Sequence, residues 1–310
     1  MKKSKECFKT SVGGQALMEG IMMRGPEKVC VAVRKPDGTI DLTEEAVKHH
    51  RWQKIPFVRG ACNMIESLIQ GYRYLMHSAE VSMGDDFEES ESKFDKWVDA
   101  HMGPKMQNFL FTMAAVCGGL LALVLFMVLP TAVVGLVDRF LPLGGFKVVL
   151  EGLVKLGLFI GYLFLCTRVK DVHRVFEYHG AEHKTIACYE AGEELTVENV
   201  RKHVRFHPRC GTSFLILVLL ISIVLFSVLP WHNTGLRVLL KVLMLPVLMG
   251  ISYELIKLAG RYDNLFTRII SAPGLWMQRL TTFEPDDSMI EVAIAAVKPV
   301  LPEKPEDAEW

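Results

Sequence analysis

The sequence has little net charge, few cysteines and no hydrophobic segment at its start, and each shortage excludes a class of protein. Lysine plus arginine and aspartate plus glutamate both number 35, so the chain has no global attraction for nucleic acid. The seven cysteines are odd in number and scattered, which indicates reduced thiols rather than a disulfide framework. Residues 1–10 are polar and basic, and no apolar segment follows within about thirty residues, so we expect no cleavable signal peptide.

What the sequence does contain is a large hydrophobic share, concentrated in four stretches. A helix needs about 20 apolar residues to cross the hydrocarbon core of a membrane. Each stretch is near that length, and the four cover residues 109–137, 146–167, 213–230 and 236–258. The sequence therefore predicts an α-helical membrane protein with about four transmembrane helices and the lipid bilayer as its partner.

Two of these stretches carry ionisable residues. Glu151 and Lys155 are four residues apart, so we expect them to share a helix face and to pair with each other. Arg237 and Lys241 lie near one end of a predicted helix, and we expect these long basic side chains to reach the membrane surface by snorkelling.

Basic residues in the loops predict the orientation of the helices. The first loop contains two basic residues and the third contains one, whereas the middle loop is strongly basic. Its basic residues are Arg168, Lys170, Arg174, Lys184, Arg201, Lys202, Arg205 and Arg209. Because positively charged loops stay in the cytosol, we expect a multi-pass protein of the cytoplasmic (inner) membrane with cytosolic N- and C-termini.

Five regions follow from this topology. They are an N-terminal cytosolic α+β region over residues 1–100, transmembrane helices 1 and 2 over 105–167, a helical cytosolic loop over 168–211, transmembrane helices 3 and 4 over 212–260, and a cytosolic tail over 261–310. In the first region, Pro36-Asp37-Gly38 between apolar runs predicts a hairpin, and residues 60–83 predict an amphipathic helix. The apolar side of that helix is expected to carry Ile65, Leu68, Ile69, Tyr72 and Leu75.

The middle loop and the tail contain further predicted elements. Residues 176–191 are predicted to form a helix that Gly192 closes, and Thr196 is predicted to cap a second short helix that runs to about Arg205. Residues 288–296 form one more short apolar segment. The acidic residues 84–99 and the Pro- and Glu-rich residues 299–310 are expected to be flexible or disordered.

The residues with the clearest chemical pattern are His179-Gly180-Ala181-Glu182-His183, which fit the H-x-x-E-H pattern of a class of zinc enzymes. On a helix, two imidazoles four residues apart share a face and can hold one divalent ion such as zinc. Such an ion lowers the pKa of bound water towards about 7, and Glu182 would take the proton. The sequence leaves the third ligand open among Glu254, Glu190, Cys188, His207 and Cys210.

The same histidines also have a simpler interpretation, as packing residues or contacts to lipid headgroups at a membrane surface. Gly180 favours this interpretation, because glycine weakens a helix by about 1 kcal/mol relative to alanine. His207 and Cys210 are spaced like a metal half-site, but they also lie in a turn before the third stretch. We favour the turn, with Thr212 or Ser213 as the helix N-cap.

Three charged residues outside the histidine motif are further candidates for a site. Glu19 and Arg24 lie within residues 13–26, whose glycines permit close backbone approach. They bind a ligand or, as we favour, form a structural ion pair. Glu254 is either a metal ligand or the partner of Lys257 in the same predicted helix.

Four segments together carry a resemblance to a known family. Residues 13–26, 177–184, 207–214 and 252–254 resemble the YqhQ-like family, a group of bacterial membrane proteins of uncharacterised function that are often labelled predicted metal-dependent enzymes. The resemblance extends to about residue 296 and implies an inner-membrane protein of a Gram-positive bacterium. The metal label of the family rests on residues such as His179, Glu182 and His183.

Three functions are consistent with these patterns. The first is a membrane-embedded, metal-dependent hydrolase that acts on a lipid-linked or membrane-protein substrate at the cytosolic surface. The second is a non-enzymatic scaffold or biogenesis factor that binds other membrane proteins. The third is a small transporter, in which a homo-oligomer forms a pore and uses Glu151 and Lys155. We rank it last, because the polar motifs lie outside the predicted membrane spans.

Overall fold

The computed structural model describes residues 9–84, 104–262 and 264–302. Within them the chain is mostly helical, with one four-stranded antiparallel sheet near the N-terminus. Of the segments predicted to be flexible or disordered, residues 85–99 and 303–310 lie outside the described residues. The predicted disorder is wrong at Pro299 and Val300, because they belong to a short 3-10 helix, Lys298–Val300, in which Val300 is buried.

The sheet is a meander in the order β1-β2-β3-β4, formed by Gly13–Leu17, Gly20–Arg24, Lys28–Arg34 and Ile40–Ala46. The predicted hairpin is confirmed, because Arg34 pairs with Ile40 and Gly38 takes a φ of 84° in the turn. The hairpin of β1 and β2 was not predicted. Its turn is Met18-Glu19, which lacks the glycine or asparagine that signals a turn, and Glu19 adopts a φ of 48°.

The helices are α1 Val58–Met83, α2 Pro104–Leu123, α3 Leu129–Phe140, α4 Lys147–Cys166, α5 Lys170–Glu190, α6 Val197–Lys202, α7 Gly211–Phe226, α8 Thr234–Leu243, α9 Leu245–Arg261, α10 Leu265–Thr281 and α11 Asp287–Val297. A π-helical segment, Val124–Val128, joins α2 to α3. In the middle loop, the prediction that Gly192 closes α5 is confirmed by its φ of 67°. The prediction that Thr196 caps α6 is confirmed by the bond that its side chain accepts from Asn199 N.

The described chain divides into two compact units. The first, here called the sheet unit, consists of residues 1–84, 163–218 and 246–310, and the second, the bundle unit, consists of residues 85–162 and 219–245. The sheet unit is therefore assembled from three separate parts of the sequence. Each unit is described below by itself.

The core of the sheet unit lies on both faces of the sheet, because side chains of a strand alternate between its faces. On one face, Cys30 and Ala32 of β3 join a buried cluster with residues of α5 and α11. On the other face, Val29, Val31 and Val33 pack in a cluster that includes Tyr74 of α1. The short apolar segment predicted near the C-terminus is thus a buried helix, α11, that completes this core.

Helix α1 confirms the predicted helix, but most of its predicted apolar side is not buried. Four of the five residues expected on its apolar side are exposed, namely Ile65, Leu68, Ile69 and Tyr72. The side that packs on the sheet carries Tyr74 and several small residues instead. A Cβ on Gly71 would lie 2.6 Å from Gln15 Oε1, and Ser78 Oγ accepts a hydrogen bond of 3.2 Å from Met18 N. Small side chains at these positions allow the helix to approach the strand closely.

Among the described residues, two helical stretches are long and apolar enough to cross a membrane, Thr112–Phe140 and Gly144–Cys166. A third exists if α8 and α9, which bend by 48° at their junction, form one broken span. Pro246 explains the break, since proline lacks the N–H that a continuous helix requires. Helix α7 is apolar but has only 16 residues. The structure thus gives two or three such helices, and the predicted four are not confirmed.

Buried charges in the bundle unit correct two predictions. Glu151 pairs with Arg237 at 2.9 Å and with Lys241, whereas Lys155 donates to Ser222 Oγ at 3.1 Å. The expected Glu151–Lys155 pair is therefore replaced by pairs between helices. Arg237 and Lys241 do not snorkel, because both are fully buried. A carboxylate that neutralises them in place avoids the high cost of unpaired charge in an apolar interior.

Candidate metal centre

The candidate centre is built on helix α5, which presents His179 and His183 on one face. Helix periodicity places residues four apart side by side, and their ring centroids are 4.4 Å apart. Gly180, which seemed to weaken the helix, has a packing reason. A Cβ at this position would lie 2.0 Å from the carbonyl oxygen of Phe283, so only glycine allows this approach.

Both histidines are oriented through their Nδ1 atoms. His179 Nδ1 is 2.8 Å from the carbonyl oxygen of Thr281, and His183 Nδ1 is 2.6 Å from that of Arg205. A carbonyl oxygen can only accept, so each Nδ1 carries the proton and donates it. In the neutral form of such a ring, Nε2 carries the lone pair, which is the arrangement seen in histidines that bind metals.

Cys210 brings a sulfur to the two imidazoles. Its Sγ lies 3.1 Å from His179 Nε2, and the three ligand atoms of His179, His183 and Cys210 all lie within 4.8 Å of one another. Cys210 immediately precedes α7, and Thr212 N donates to its sulfur at 3.4 Å. Cys210, not Thr212 or Ser213, therefore occupies the N-cap position after the favoured turn.

Glu182 lies beside this cluster in a buried position. A backbone hydrogen bond from Gly14 reaches its carboxylate, and a Cβ on Gly14 would lie 3.0 Å from Glu182 Cδ. The glycine of the first motif thus permits close approach of strand β1 to α5. Two buried atoms, Glu182 Oε2 and His183 Nε2, find no hydrogen-bond partner within the described parts of the chain. Buried polar atoms are almost always satisfied, so this pair points to a ligand.

The electrostatics of the cluster favour a thiolate. Burial alone would raise the pKa of the Cys210 thiol, but His179 and His183 outweigh it and lower the pKa well below its ordinary value. Burial likewise acts to lower the pKa of His179, but the Cys210 sulfur outweighs it and raises the pKa to about 9. Burial raises the pKa of Glu182, and the two histidines only partly offset this.

A cavity of about 350 Å³ opens onto the cluster. Its lining includes His179, Glu182, His183, His207, Arg209 and Cys210. His207 borders the cavity, but its environment is different: its ring lies 5.6 Å from that of His183 and 3.8 Å from Glu190. Burial lowers the pKa of His207 and keeps it neutral. His207 is thus a neighbour of the centre, outside the closest group of ligand atoms.

The structure does not bring Glu254 to the histidines. Its carboxylate receives both ends of the Arg59 guanidinium, with Arg59 Nε at 2.7 Å, and also the N–H of Phe57. A carboxylate held by a two-pronged arginine contact is satisfied without a metal. Glu254 is therefore a structural partner of Arg59, and neither the expected metal contact nor the expected pair with Lys257 is its main interaction.

The other candidates are also engaged elsewhere. Glu19 pairs with Arg174, at 2.6 Å from its Nη2, and accepts from Tyr178 at 3.1 Å, so the expected pair of Glu19 with Arg24 is not formed. Arg24 lines a separate cavity beside Arg59. Glu190 pairs with Arg209, and Cys188 lies near Glu193 and His203. Of the proposed third ligands, the structure therefore brings Cys210 closest to the histidines.

Sequence reasoning missed the backbone groups that complete the centre. The carbonyls of Thr281 and Arg205 and the N–H of Gly14 orient the three key side chains. No side-chain pattern can reveal a backbone group. Only the glycines of residues 13–26 gave a signal, since they allow a backbone to come close.

Comparison with known proteins places the centre inside a recognised family. The sequence profile of the family described as "Protein of unknown function (DUF1385)" matches residues 55–303. A relative, "Uncharacterized protein YqhQ" from Bacillus subtilis (strain 168), is 34% identical over 303 residues, which is 96% of this chain and 94% of the relative. No solved structure matches the chain. His179, Glu182, His183 and Cys210 all lie within the matched span.

Proposed function

The chain belongs to the DUF1385 family of proteins of unknown function, as the resemblance to YqhQ implied, and on that premise we propose that it is a membrane-anchored, metal-dependent hydrolase. His179, His183 and Cys210 hold a divalent ion such as zinc, and Glu182 is the general base. One observation carries the proposal: the buried Nε2 of His183 and Oε2 of Glu182 lack a partner among the described residues, beside a cavity.

The donor set suits zinc. Two imidazole nitrogens and one thiolate are ligands that zinc prefers, and catalytic zinc sites use three protein ligands and keep one position open. The Nδ1 atoms of both histidines already donate to backbone carbonyls, which fixes Nε2 as the ligand atom. The cavity beside the cluster leaves room for the open position and for a substrate.

The side chains have separate roles in the proposed reaction. When bound, a divalent ion supplies Lewis acidity and lowers the pKa of a water that it contacts towards about 7. Glu182 receives a proton at Oε2, and because burial raises its pKa, the carboxyl can hold that proton and return it to a leaving group. The N–H of Gly14 keeps the carboxylate in position.

The proposed location is the cytosolic surface of the inner membrane. Two or three described helices are compatible with spanning, and the short apolar helix α7 would complete four crossings. The basic middle loop, which carries both histidines, would then face the cytosol. Cys210 directly precedes α7, so a substrate that is itself lipid-linked or a membrane protein suits the centre. The bilayer is the main partner, and a homo-oligomer is compatible with this arrangement.

Metal content tests the proposal. We expect purified protein to lose one equivalent of zinc when His183 is replaced by alanine or Cys210 by serine, since each supplies a ligand atom. Elemental analysis after exhaustive dialysis measures the loss. His173→Gln on the same helix and Glu254→Gln are matched controls, because the half-buried His173 stacks on Phe283 and Glu254 contacts Arg59. Equal zinc in wild type, His183→Ala and Cys210→Ser would refute the centre.

Zinc affinity should also depend on pH in a defined direction. The pKa of His179 is raised to about 9, so below that pH the ion must displace a proton from this imidazole. Each pH unit between about 7 and about 9 should then tighten binding about tenfold, with no further gain above. Competition against a chromophoric chelator measures the slope. An affinity that does not change over this range would show that His179 is not a ligand.

A non-enzymatic role has one observation in its favour. Ile65, Leu68, Ile69 and Tyr72 form an exposed apolar stripe along α1, and such surfaces mark interaction sites. A scaffold or biogenesis factor would use this stripe to bind other membrane proteins. A stable partner that co-purifies in the presence of a chelator, and is lost in Leu68→Asp, would favour this role over hydrolysis.

A further inference from the structure

A second cluster of metal-binding side chains lies on the turn that joins α5 to α6. Cys188 is in the last turn of α5, Glu193 is in the connection and His203 follows α6. One ligand atom of each lies within 4.8 Å of the other two. We propose that Cys188, Glu193 and His203 bind a second divalent ion, of the zinc type, which holds this turn in place.

The spacing of the ligand atoms fits one ion. Bonds from zinc to nitrogen, oxygen and sulfur of about 2.0–2.3 Å place the ligand atoms of a tetrahedral ion about 3.3–3.8 Å apart. His203 Nε2 and Glu193 Oε2 are already 3.3 Å apart. The Cys188 sulfur, at no more than 4.8 Å, needs to move by about 1 Å at most to complete the set.

The chemistry of the three residues also points to a cation. A mixture of thiolate, imidazole and carboxylate suits zinc among the common divalent ions. Without an ion, His203 pairs with Glu193, and the Cys188 thiol donates to the carbonyl oxygen of Glu194 at 3.6 Å. The ion would take the place of both contacts.

The backbone is shaped to bring these residues together. Gly192 adopts a φ of 67°, which reverses the chain after α5, and Glu193 N then donates to Cys188 O at 3.2 Å. Glu193 is exposed and His203 is half-buried, so an ion can enter from solvent. The fourth position of a tetrahedral ion would face solvent as well.

This ion would also position the first centre. Arg205, two residues after His203, provides the carbonyl oxygen that accepts from His183 Nδ1 at 2.6 Å. An ion that fixes His203 therefore also restrains the carbonyl group of Arg205, which orients the proposed ligand His183. This consequence rests on the proposed function, whereas binding of the second ion does not.

The test is a count of zinc ions in the full-length protein. We expect two equivalents in the wild type and one in His203→Gln or in Cys188→Ser, while His183→Ala loses the other. In cobalt-substituted protein, thiolate-to-cobalt absorption should fall by about half in Cys188→Ser and by the other half in Cys210→Ser. Cys62→Ser, which changes a half-buried thiol on α1, is the matched control. In His203→Gln, the zinc that remains at the first centre should bind about tenfold more weakly than in the wild type, because His183 is less well oriented.

Other results overturn one proposal or both. A wild type with one equivalent that is lost in His183→Ala would overturn the second site and leave the first. One equivalent that is lost only in His203→Gln would overturn the hydrolase centre and support the second site. If Cys188→Ser does not fold, the zinc content of His203→Gln decides whether the second site exists, because replacing the half-buried His203 ring does not open the core. If His203→Gln still binds two equivalents of zinc, the second site is overturned.

Discussion

Replacing Glu182 with glutamine should abolish hydrolysis while leaving the bound zinc in place. A general base contributes about 10²–10⁴-fold to a rate, and glutamine is nearly the same shape but cannot accept the proton. Glu182 is not among the three ligand atoms that lie closest together, so the ion should remain. With 4-nitrophenyl acetate as the probe ester, the zinc-loaded variant should lose activity and keep the metal content of the wild type.

The same substitution should stabilise the metal-free protein. Burial raises the pKa of Glu182 in the folded chain above its unfolded value. The folded state therefore binds this proton more tightly, so stability is greatest at low pH and falls as pH rises through the interval between the two values. Glutamine has no proton to lose and should remove that slope. At neutral pH the variant should be more stable than the wild type, because a neutral amide is less costly to bury than a charged carboxylate.

Thermal unfolding of the metal-free proteins across this pH range measures the effect. Glu177→Gln is the matched control, because Glu177 lies on the same helix and is partly exposed beside His173. We expect this control to change neither activity nor stability appreciably. If Glu182→Gln hydrolyses the ester as fast as the wild type, Glu182 has no role in the proposed mechanism. If the variant loses its zinc, Glu182 is a metal ligand and not the general base.

Replacing Gly180 with alanine should destabilise the sheet unit strongly. On helix propensity alone, alanine would gain about 1 kcal/mol. The structure predicts the opposite sign, because the new Cβ would lie 2.0 Å from the carbonyl oxygen of Phe283. That oxygen cannot move easily, since Phe283 N is bonded to Phe176 O at 2.9 Å. We expect a loss of about 3 kcal/mol.

A glycine elsewhere in a helix provides the control. A Cβ on Gly161 in α4 would meet no atom within 4 Å, so Gly161→Ala should be neutral or stabilising. Thermal unfolding and zinc content of both variants in detergent measure the difference. If Gly180→Ala is as stable as Gly161→Ala and retains its zinc, the close contact of α5 with Phe283 is not present in solution.

The core of the candidate site could be read from the sequence, because it depends on local spacing. Residues four apart on a helix must share a face, so His179 and His183 follow from the motif alone. Cys210 was one of several candidates, and only the fold selects it. Glu254 was a reasonable alternative as a carboxylate in an apolar segment, but its partner Arg59 is 195 residues away in the sequence.

The fold was predictable to a similar extent. Strong local signals gave the hairpin at Gly38, the end of α5 at Gly192 and the cap at Thr196. The sequence did not reveal that the apolar side of α1 is largely exposed, and the predicted partner of Glu151 was wrong, because burial and pairing both depend on distant parts of the chain. Arg237, for example, is 86 residues from Glu151, and no periodicity within one helix could identify it.

The division of the sheet unit into three parts of the sequence has a consequence for its synthesis on the ribosome. The four strands are complete at Ala46, but α11, which covers one face of the sheet, begins only at Asp287. At about 5–20 residues per second, roughly 240 intervening residues take some 10–50 seconds to translate. Helix α5 is complete by Glu190, but the part of this face that α11 covers stays open throughout that interval. A chain that stops before α11 therefore leaves an uncovered strand surface, which chaperones and proteases recognise.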